Sequence, residues 1–363
     1  MSARKKVLFV VPSLSGGGAE RVMATLLKHL DRARFEPLLA LAAQKGTLPY
    51  VPEDVPLFDL KCSKARRAVL KLTGLVRRHR PDVVFSTLGY LNLLIMLARF
   101  LMPGKTAFIA RETNIPSINL LQSPYPRLFY FLYRKLYPKF DLLVCQSKDM
   151  ETDLVHHFNI RPEKTAIINN PVDVAWVREQ SREGGSPIKP GAVNLLAAGK
   201  LMRQKGFDLL LQAFAKLENP GFHLTIMGRG MEEMNLKDLA EKLGIKDRVT
   251  FAGFLDNPYP AMAKADVFVL SSRFEGFPNV VLEACACGTP VVAFDCPGDV
   301  REIIAGGVNG LLAAPEDVGA LAKKINQCVS LSWDTKKIVQ TVSERFGAAH
   351  ITNQYEALFD SVQ

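Results

Sequence analysis

The sequence holds no apolar run near the ~18 residues that a membrane-spanning helix needs, so no span is expected in its 363 residues. Its opening, MSARKKVLFVVP, is basic and then apolar, but it passes straight into Pro12 and a glycine loop with no small-residue cleavage site. That reads as a first strand rather than a secretory signal. Cysteine is sparse and scattered: Cys62, Cys145, Cys285, Cys287, Cys296 and Cys328 are the six. Cys285 and Cys287 have no second pair at zinc spacing, so buried thiols are expected. The histidines form no HExxH pair and no DxD motif is present, so no metal site is indicated. A GxGxxG fingerprint is missing as well. In Gly16-Gly17-Gly18-Ala19-Glu20-Arg21 the arginine takes the third glycine's place, and the next strand runs into Ala42, Ala43 and Gln44 with no acid for a ribose. A dinucleotide cofactor is therefore disfavoured. No RNP, KH or helix-turn-helix pattern appears, which argues against nucleic acid.

What is present is an uneven charge. Residues 1–175 carry 26 Lys and Arg against 14 Asp and Glu, whereas residues 176–363 carry 20 against 22. The whole positive excess therefore belongs to the first half, which points to an anionic partner for that half alone. Three stretches there are both basic and apolar: Lys64 to Arg80, Ile95 to Lys105, and Tyr125 to Phe140 with Arg127, Arg134, Lys135 and Lys139 among its aromatics. Such composition suits the interface of an anionic bilayer. It equally describes helices that pack on a sheet and keep their charges in water.

Alternation of short β-rich apolar runs with amphipathic stretches sets the fold class. Lys6 to Val11, Pro37 to Leu41, Val83 to Ser86, Ala107 to Ala110 and Leu142 to Gln146 read as strands of the first half. Val193 to Ala198, Phe222 to Met227, Arg248 to Ala252 and Ala265 to Leu270 read as strands of the second. The class is α/β, with parallel sheets covered on both faces. The length argues for two domains. Proline and glycine between Asn170 and Gly191 place a hinge there. We expect one domain at 1–175, completed by a C-terminal helix at about 345–363, and another at 176–344.

The most informative stretch is Ser271 to Pro290, SSRFEGFPNVVLEACACGTP. It follows a buried strand, turns at Gly276, opens a helix at Pro278 or Asn279 and ends at Gly288 and Pro290. Glu275 then lies just before a helix N-terminus and Glu283 about one turn inside. The first-turn amides and helix dipole favour an anion at such a place. Two carboxylates beside an anion site make sense if they hold neutral hydroxyls of a ligand whose phosphates meet the amides, as a sugar nucleotide would. The spacing alone fits two solvated glutamates around an ordinary turn as well.

Glu275 to Glu283, with seven residues between the glutamates, resembles the E-x7-E signature of retaining glycosyltransferases of the large family-four type. The following AxxCGTPVVAFD, the GxNGLL at Gly307 to Leu312 and the GGAER element at Gly17 to Arg21 resemble the same family. So does Gly199-Lys200-Leu-Met-Arg203-Gln-Lys205-Gly206, where the family shows GRLxxxKG and Lys200 stands in the arginine's place.

The resemblance implies a GT-B fold, two Rossmann-like doubly wound domains facing each other across a cleft, and a metal-independent hexosyltransferase without a cofactor. Glu275, Lys205 and Lys200 would act at the reacting sugar and leaving diphosphate. Gly17, Gly18, Arg229, Gly276, Phe277, Pro278, Asn279 and Glu283 would bind the nucleotide-sugar donor, and the backbone of Gly253 to Asn257 would grip its base. Arg111, Glu112 and Thr113 would lie on the acceptor side, where many relatives carry a histidine and this chain does not. The expected donor is UDP-linked. The expected acceptor is a polyprenyl-diphosphate-linked or other glycan at an anionic membrane surface, reached from the cytoplasm by a peripherally attached enzyme of polysaccharide assembly. A soluble acceptor, a sugar-nucleotide epimerase and a non-catalytic partner of a synthase remain as alternatives.

Overall fold

The computed structural model describes residues 4–42, 51–61 and 65–362, the side chains of 65–67 excepted. Ala43, Gln44, Cys62 and Lys64, singled out above, lie outside the described residues. By its internal packing the chain divides into two units, Met1–Pro171 with Ala348–Gln363, and Val172–Gly347.

The first unit is built on strands β1 (Lys5–Val11), β2 (Phe35–Leu41), β3 (Leu57–Asp59), β4 (Val83–Thr87), β5 (Ala107–Arg111), β6 (Leu142–Cys145) and β7 (Thr165–Ile167). They pair in the order β3-β2-β1-β4-β5-β6-β7, all parallel. The period of two along β1 explains the layers: Leu8 and Val10 enter one core, Val7, Phe9 and Val11 the other. Both faces are apolar and both are covered. Helices Ala65–His79, Gly89–Ala98 and Pro126–Leu136 lie over the first face, and Gly18–His29 with Ala348–Ser361 over the second. The last helix belongs to this unit through its aromatics. Phe359 meets Phe9 at 6.1 Å, Phe35 at 6.1 Å and Phe85 at 5.4 Å between ring centroids, and Arg34 pairs with Glu356 at 2.8 Å.

The second unit carries β8 (Val193–Ala198), β9 (Phe222–Met227), β10 (Val249–Gly253), β11 (Val267–Leu270), β12 (Val291–Phe294) and β13 (Gly310–Ala313). Their order is β10-β9-β8-β11-β12-β13, again parallel. The stretch expected to be irregular between Asn170 and Gly191 contains a helix, Val174–Gln180. Asp173 caps it by accepting from the Trp176 amide at 3.1 Å, and the Trp176 ring stands edge-on to Tyr259 at 5.3 Å. A good cap and one aromatic anchor outweigh the flanking proline and glycine. Helix Asn279–Ala286 is buried continuously from Val281 to Ala286 and has no solvated face.

Each sheet has one point where the strand order reverses, between β1 and β4 in the first and between β8 and β11 in the second. Loops leaving the carboxyl ends of the strands on either side of such a point form the natural ligand site of a doubly wound sheet. Among the described residues no helix is long and apolar enough to cross a membrane.

Candidate active site

In the second unit β8 leads into the loop bearing Lys200 and Lys205, and β11 into the loop bearing Glu275. These two strands flank the reversal point, so residues seventy positions apart become neighbours. Lys205 Nζ lies 2.6 Å from Glu275 Oε1, and their side chains are 19% and 6% exposed. The Ser272 hydroxyl donates to the same Oε1 at 2.5 Å. A carboxylate held by an ammonium and a hydroxyl has a fixed orientation, and removing one partner of so buried a pair costs about 3–5 kcal/mol.

The two loops meet closely. Ser271 Oγ donates to the Lys205 carbonyl at 3.0 Å. Gly206, in the left-handed region at φ 60°, follows Lys205, and a Cβ there would stand 2.0 Å from the Ser271 carbonyl oxygen. On its other side Glu275 is fixed by its own backbone. Its amide donates to Pro297 O at 2.9 Å, and a Cβ on Gly298 would fall 2.2 Å from Glu275 O.

Gly276, Phe277 and Pro278 are buried and lead into the helix at Asn279, so Glu275 precedes the helix and Glu283 is its fifth residue. Pro278 has no amide hydrogen, which leaves the amides of Gly276, Phe277 and Asn279 as the donors of this segment. Glu283 is buried within the helix. Lys200 is exposed on the same loop as Lys205. Arg229 comes to this end of the sheet from β9: its carbonyl accepts from Leu201 N at 3.0 Å, and its side chain lies over Gly253, whose own carbonyl accepts from Gly228 N at 2.7 Å. The loops after β8, β9 and β10 are thereby joined.

In the first unit the loop after β1 carries Gly17 and Gly18. The Gly17 amide donates to Glu20 Oε2 at 3.1 Å, and Ser13 Oγ donates to Glu20 Oε1 at 2.5 Å. The glycine loop is therefore closed on its own acid, which supplies the N3 carboxylate arm of a capping box at the start of helix Gly18–His29. Across the reversal point the exposed Tyr90 follows β4. Desolvation, and then the Glu20 charge, raise its pKa.

Arg111 and Glu112, at the carboxyl end of β5, point into the interior; Thr113 is half-buried. The Arg111 guanidinium donates to Thr87 Oγ1 at 3.3 Å and to Asn170 Oδ1. Glu112 accepts from the Tyr137 hydroxyl and from Tyr133 OH at 3.4 Å. Burial lifts its carboxyl to about 7 despite the Tyr137 hydrogen bond, which pulls the other way. Both are thus held in a buried polar network, and of the three residues Thr113 is the more accessible.

Ser272, Gln204 and Arg273 were not marked as site residues by the sequence, yet they hold the Lys205 and Glu275 loops together. The serine three positions before Glu275 and the run Arg203-Gln204-Lys205 carried no distinctive spacing, and only the adjacency of β8 and β11 gives them a role. The described cysteines Cys145, Cys285, Cys287, Cys296 and Cys328 are free thiols whose pKa values burial pushes up.

Comparison with known proteins agrees over nearly the whole chain. The family described as "Glycosyltransferase Family 4" matches residues 16–176, and "Glycosyl transferases group 1" matches residues 180–345. A Campylobacter jejuni protein named N-acetylgalactosamine-N,N'-diacetylbacillosaminyl-diphospho-undecaprenol 4-alpha-N-acetylgalactosaminyltransferase is 32% identical over 329 residues, covering 87% of this chain and 88% of its own. The lipopolysaccharide core biosynthesis glycosyltransferase LpsE of Rhizobium meliloti is 31% identical over 298 residues, 80% of this chain and 79% of its own. Among solved structures, Anabaena HepE in complex with UDP and glucose superposes with a TM-score of 0.81 at 23% identity, over 99% of this chain and 100% of that one.

Proposed function

This chain belongs to the GT-B glycosyltransferases of the family-four type, and on that premise we propose that it transfers a hexose or N-acetylhexosamine from a UDP-linked donor, with retention of configuration, to a glycan carried on a polyprenyl diphosphate. The observation that carries this reading is the Lys205–Glu275 pair beside the start of helix Asn279–Ala286. It puts a cation for phosphate, amide donors and a fixed carboxylate for hydroxyls in one place. The Campylobacter relative's name describes a diphospho-undecaprenol acceptor, and HepE was solved with UDP; both support the same pairing of donor and acceptor.

In this reading Glu283 takes the ribose hydroxyls and Glu275 the sugar hydroxyls. Gly276, Phe277 and Asn279 offer amides to the distal phosphate. Lys200 and Lys205 stabilise the negative charge that grows on the leaving diphosphate, the task a metal ion performs elsewhere. Arg229, at the same end of the second sheet as Lys205, is assigned to the nucleotide. Glu275, already engaged by Lys205 and Ser272, orients the sugar rather than attacking it. The acceptor hydroxyl attacks the anomeric carbon on the face the diphosphate leaves, and its proton passes to the departing phosphate oxygen.

The membrane surface is part of the proposal. The three basic and apolar stretches fold into neighbouring helices over one face of the first sheet, Ala65–His79 beside Gly89–Ala98 and that beside Pro126–Leu136. Phe100, Leu128 and Phe131 are 83%, 54% and 56% exposed, among Arg127, Arg134 and Lys135. Apolar side chains that enter a bilayer contribute about 1.5–3 kcal/mol each, and each nearby basic residue adds about 1 kcal/mol on anionic lipid. The protein would then work peripherally at the inner face of the membrane.

The test is transfer itself. The purified protein is incubated with a panel of UDP-sugars and a polyprenyl-diphosphate-linked saccharide, with and without EDTA, and the product's anomeric configuration is read by NMR. The proposal expects a product with the donor's configuration and a rate that survives EDTA. Inversion, or turnover of the UDP-sugar to an epimer without acceptor, overturns it. Co-sedimentation with anionic vesicles tests the surface: Leu128→Asp with Phe131→Asp should lower binding by about tenfold or more, and equal binding by the variant refutes that face.

A further inference from the structure

Arg273 is tied to the loop of Lys205 from both ends. Its backbone amide donates to Gln204 O at 2.8 Å, and its Nη1 donates to Arg203 O at 2.7 Å. Gln204 returns the bond through Nε2 to Phe274 O at 3.0 Å. The carbonyls it grips belong to the short 3-10 turn Arg203–Lys205, whose last residue presents the ammonium to Glu275. The outer part of the guanidinium is anchored in turn. Nη1 and Nη2 fork onto Asp208 at 2.9 and 2.7 Å, and Nε meets Glu316 at 3.1 Å. Asp208 stands in the first turn of helix Phe207–Ala215 and Glu316 in the turn after β13. One side chain thereby joins three elements around the segment that runs from Ser271 to Glu275.

We propose that Arg273 is a positioning residue for the reaction: it sets the register between the Lys205 turn and the Glu275 loop, and so the place at which the donor diphosphate is held. The inference rests on the reading of Lys205 and Glu275 as donor-binding groups. A planar fork is required, because only a guanidinium reaches a carbonyl, a bidentate carboxylate and a second carboxylate from one fixed plane; lysine keeps the charge but cannot divide it among them. Displacing a reacting constellation by about 1 Å can cost a hundredfold in rate.

The experiment is a double-mutant cycle. UDP affinity by calorimetry and kcat and KM for transfer are measured for the parent, R273K, K205A and the double variant, with Tm recorded for each. Arg273→Lys should keep a parent-like Tm, weaken UDP binding several-fold and lower kcat by about tenfold or more. In the Lys205→Ala background the same change should have little further effect on either, because the group it positions is gone. An equal fold-loss in both backgrounds, or parent-like kinetics in R273K, overturns the inference while leaving the site reading intact. A Lys205→Ala protein that binds UDP as the parent does overturns the site reading and the inference with it. Should R273K fail to fold, D208N frees the fork from its far end, and the same loss of coupling to Lys205 is expected there; strict additivity refutes it.

Discussion

Replacing Glu275 by Gln should separate the affinity for nucleotide from the transfer of sugar. Glutamine matches the carboxylate in shape and can still accept from Ser272 Oγ, so the loop is retained, but the charge 2.6 Å from Lys205 Nζ is removed. Two consequences follow with opposite signs. A diphosphate on Lys205 would lie roughly 6 Å from the Glu275 carboxylate, and two unit charges at that distance repel by about 0.7 to 2.8 kcal/mol for an effective dielectric between 80 and 20. Removing the repulsion should tighten UDP binding by about three- to a hundredfold. The sugar, however, loses a charged acceptor for its hydroxyls, a contribution of about 1.5–3 kcal/mol, so kcat/KM for transfer should fall about ten- to a hundredfold. Titration calorimetry with UDP gives the first quantity and initial rates with the UDP-sugar the second. The gain in UDP affinity should shrink as salt is raised, since part of the interaction is screened. A variant whose UDP affinity is unchanged or weaker, with transfer intact, refutes both the charge argument and the place of Glu275 beside the diphosphate.

Two further predictions concern the scaffold. Glu112, lifted by burial to about 7 from an ordinary 4.5, keeps its proton in the folded protein at pH values where the unfolded chain has lost it. Its stabilising contribution is therefore complete below about pH 4.5 and is lost as pH rises to about 7, up to roughly 3 kcal/mol; Glu112→Gln should flatten this slope in denaturant titrations across that window, and an unaltered slope refutes the assignment. Gly206→Ala should lower stability by about 1–2 kcal/mol for its left-handed backbone alone and further for the clash with the Ser271 carbonyl. Gly244→Ala is the control, since its φ of 67° is similar and a Cβ there meets nothing within 4 Å; equal losses in Tm for the two would show that the close approach of the two loops does not matter.

How much of this was legible in the sequence depends on whether a feature is local. Val193–Ala198 and Phe222–Met227 fall where the pattern placed them, because an unbroken apolar run is decided within a few residues. The strands Leu57–Asp59 and Thr165–Ile167 were not marked: each has three residues, partly exposed, and is a strand only because a neighbour pairs with it. The helix Val174–Gln180 was hidden by flanking proline and glycine. At the site, resemblance singled out Glu275, Glu283 and Lys205, and the structure sets Lys205 against Glu275. The grip of Arg273 on Arg203 O depends on which strands are neighbours, and that of Tyr133 and Tyr137 on Glu112 depends on how their helix packs on the sheet; no spacing along the chain encodes either.

The charge of the two halves looks at first like a contradiction, since the half that carries the residues proposed to hold the diphosphate is the one without a positive excess. The scale of each interaction resolves it. Exposed charges beyond about 8–10 Å are screened at ordinary salt, so a pocket feels only the cations built into its wall. One ammonium that is mostly desolvated and aimed by Glu275 and the loop of Arg273 counts for more there than a dozen solvated lysines. A membrane surface is the opposite kind of partner: its charge is spread out, so many loosely held residues each add about 1 kcal/mol and none needs a fixed position. A single well-held cation therefore suits the second unit and a diffuse basic face the first. Neutralising Arg127, Arg134 and Lys135 together should thus weaken binding to anionic vesicles by orders of magnitude while leaving UDP affinity within twofold, whereas Lys205→Ala should do the reverse; matching losses in both assays for either variant would refute this division of charge.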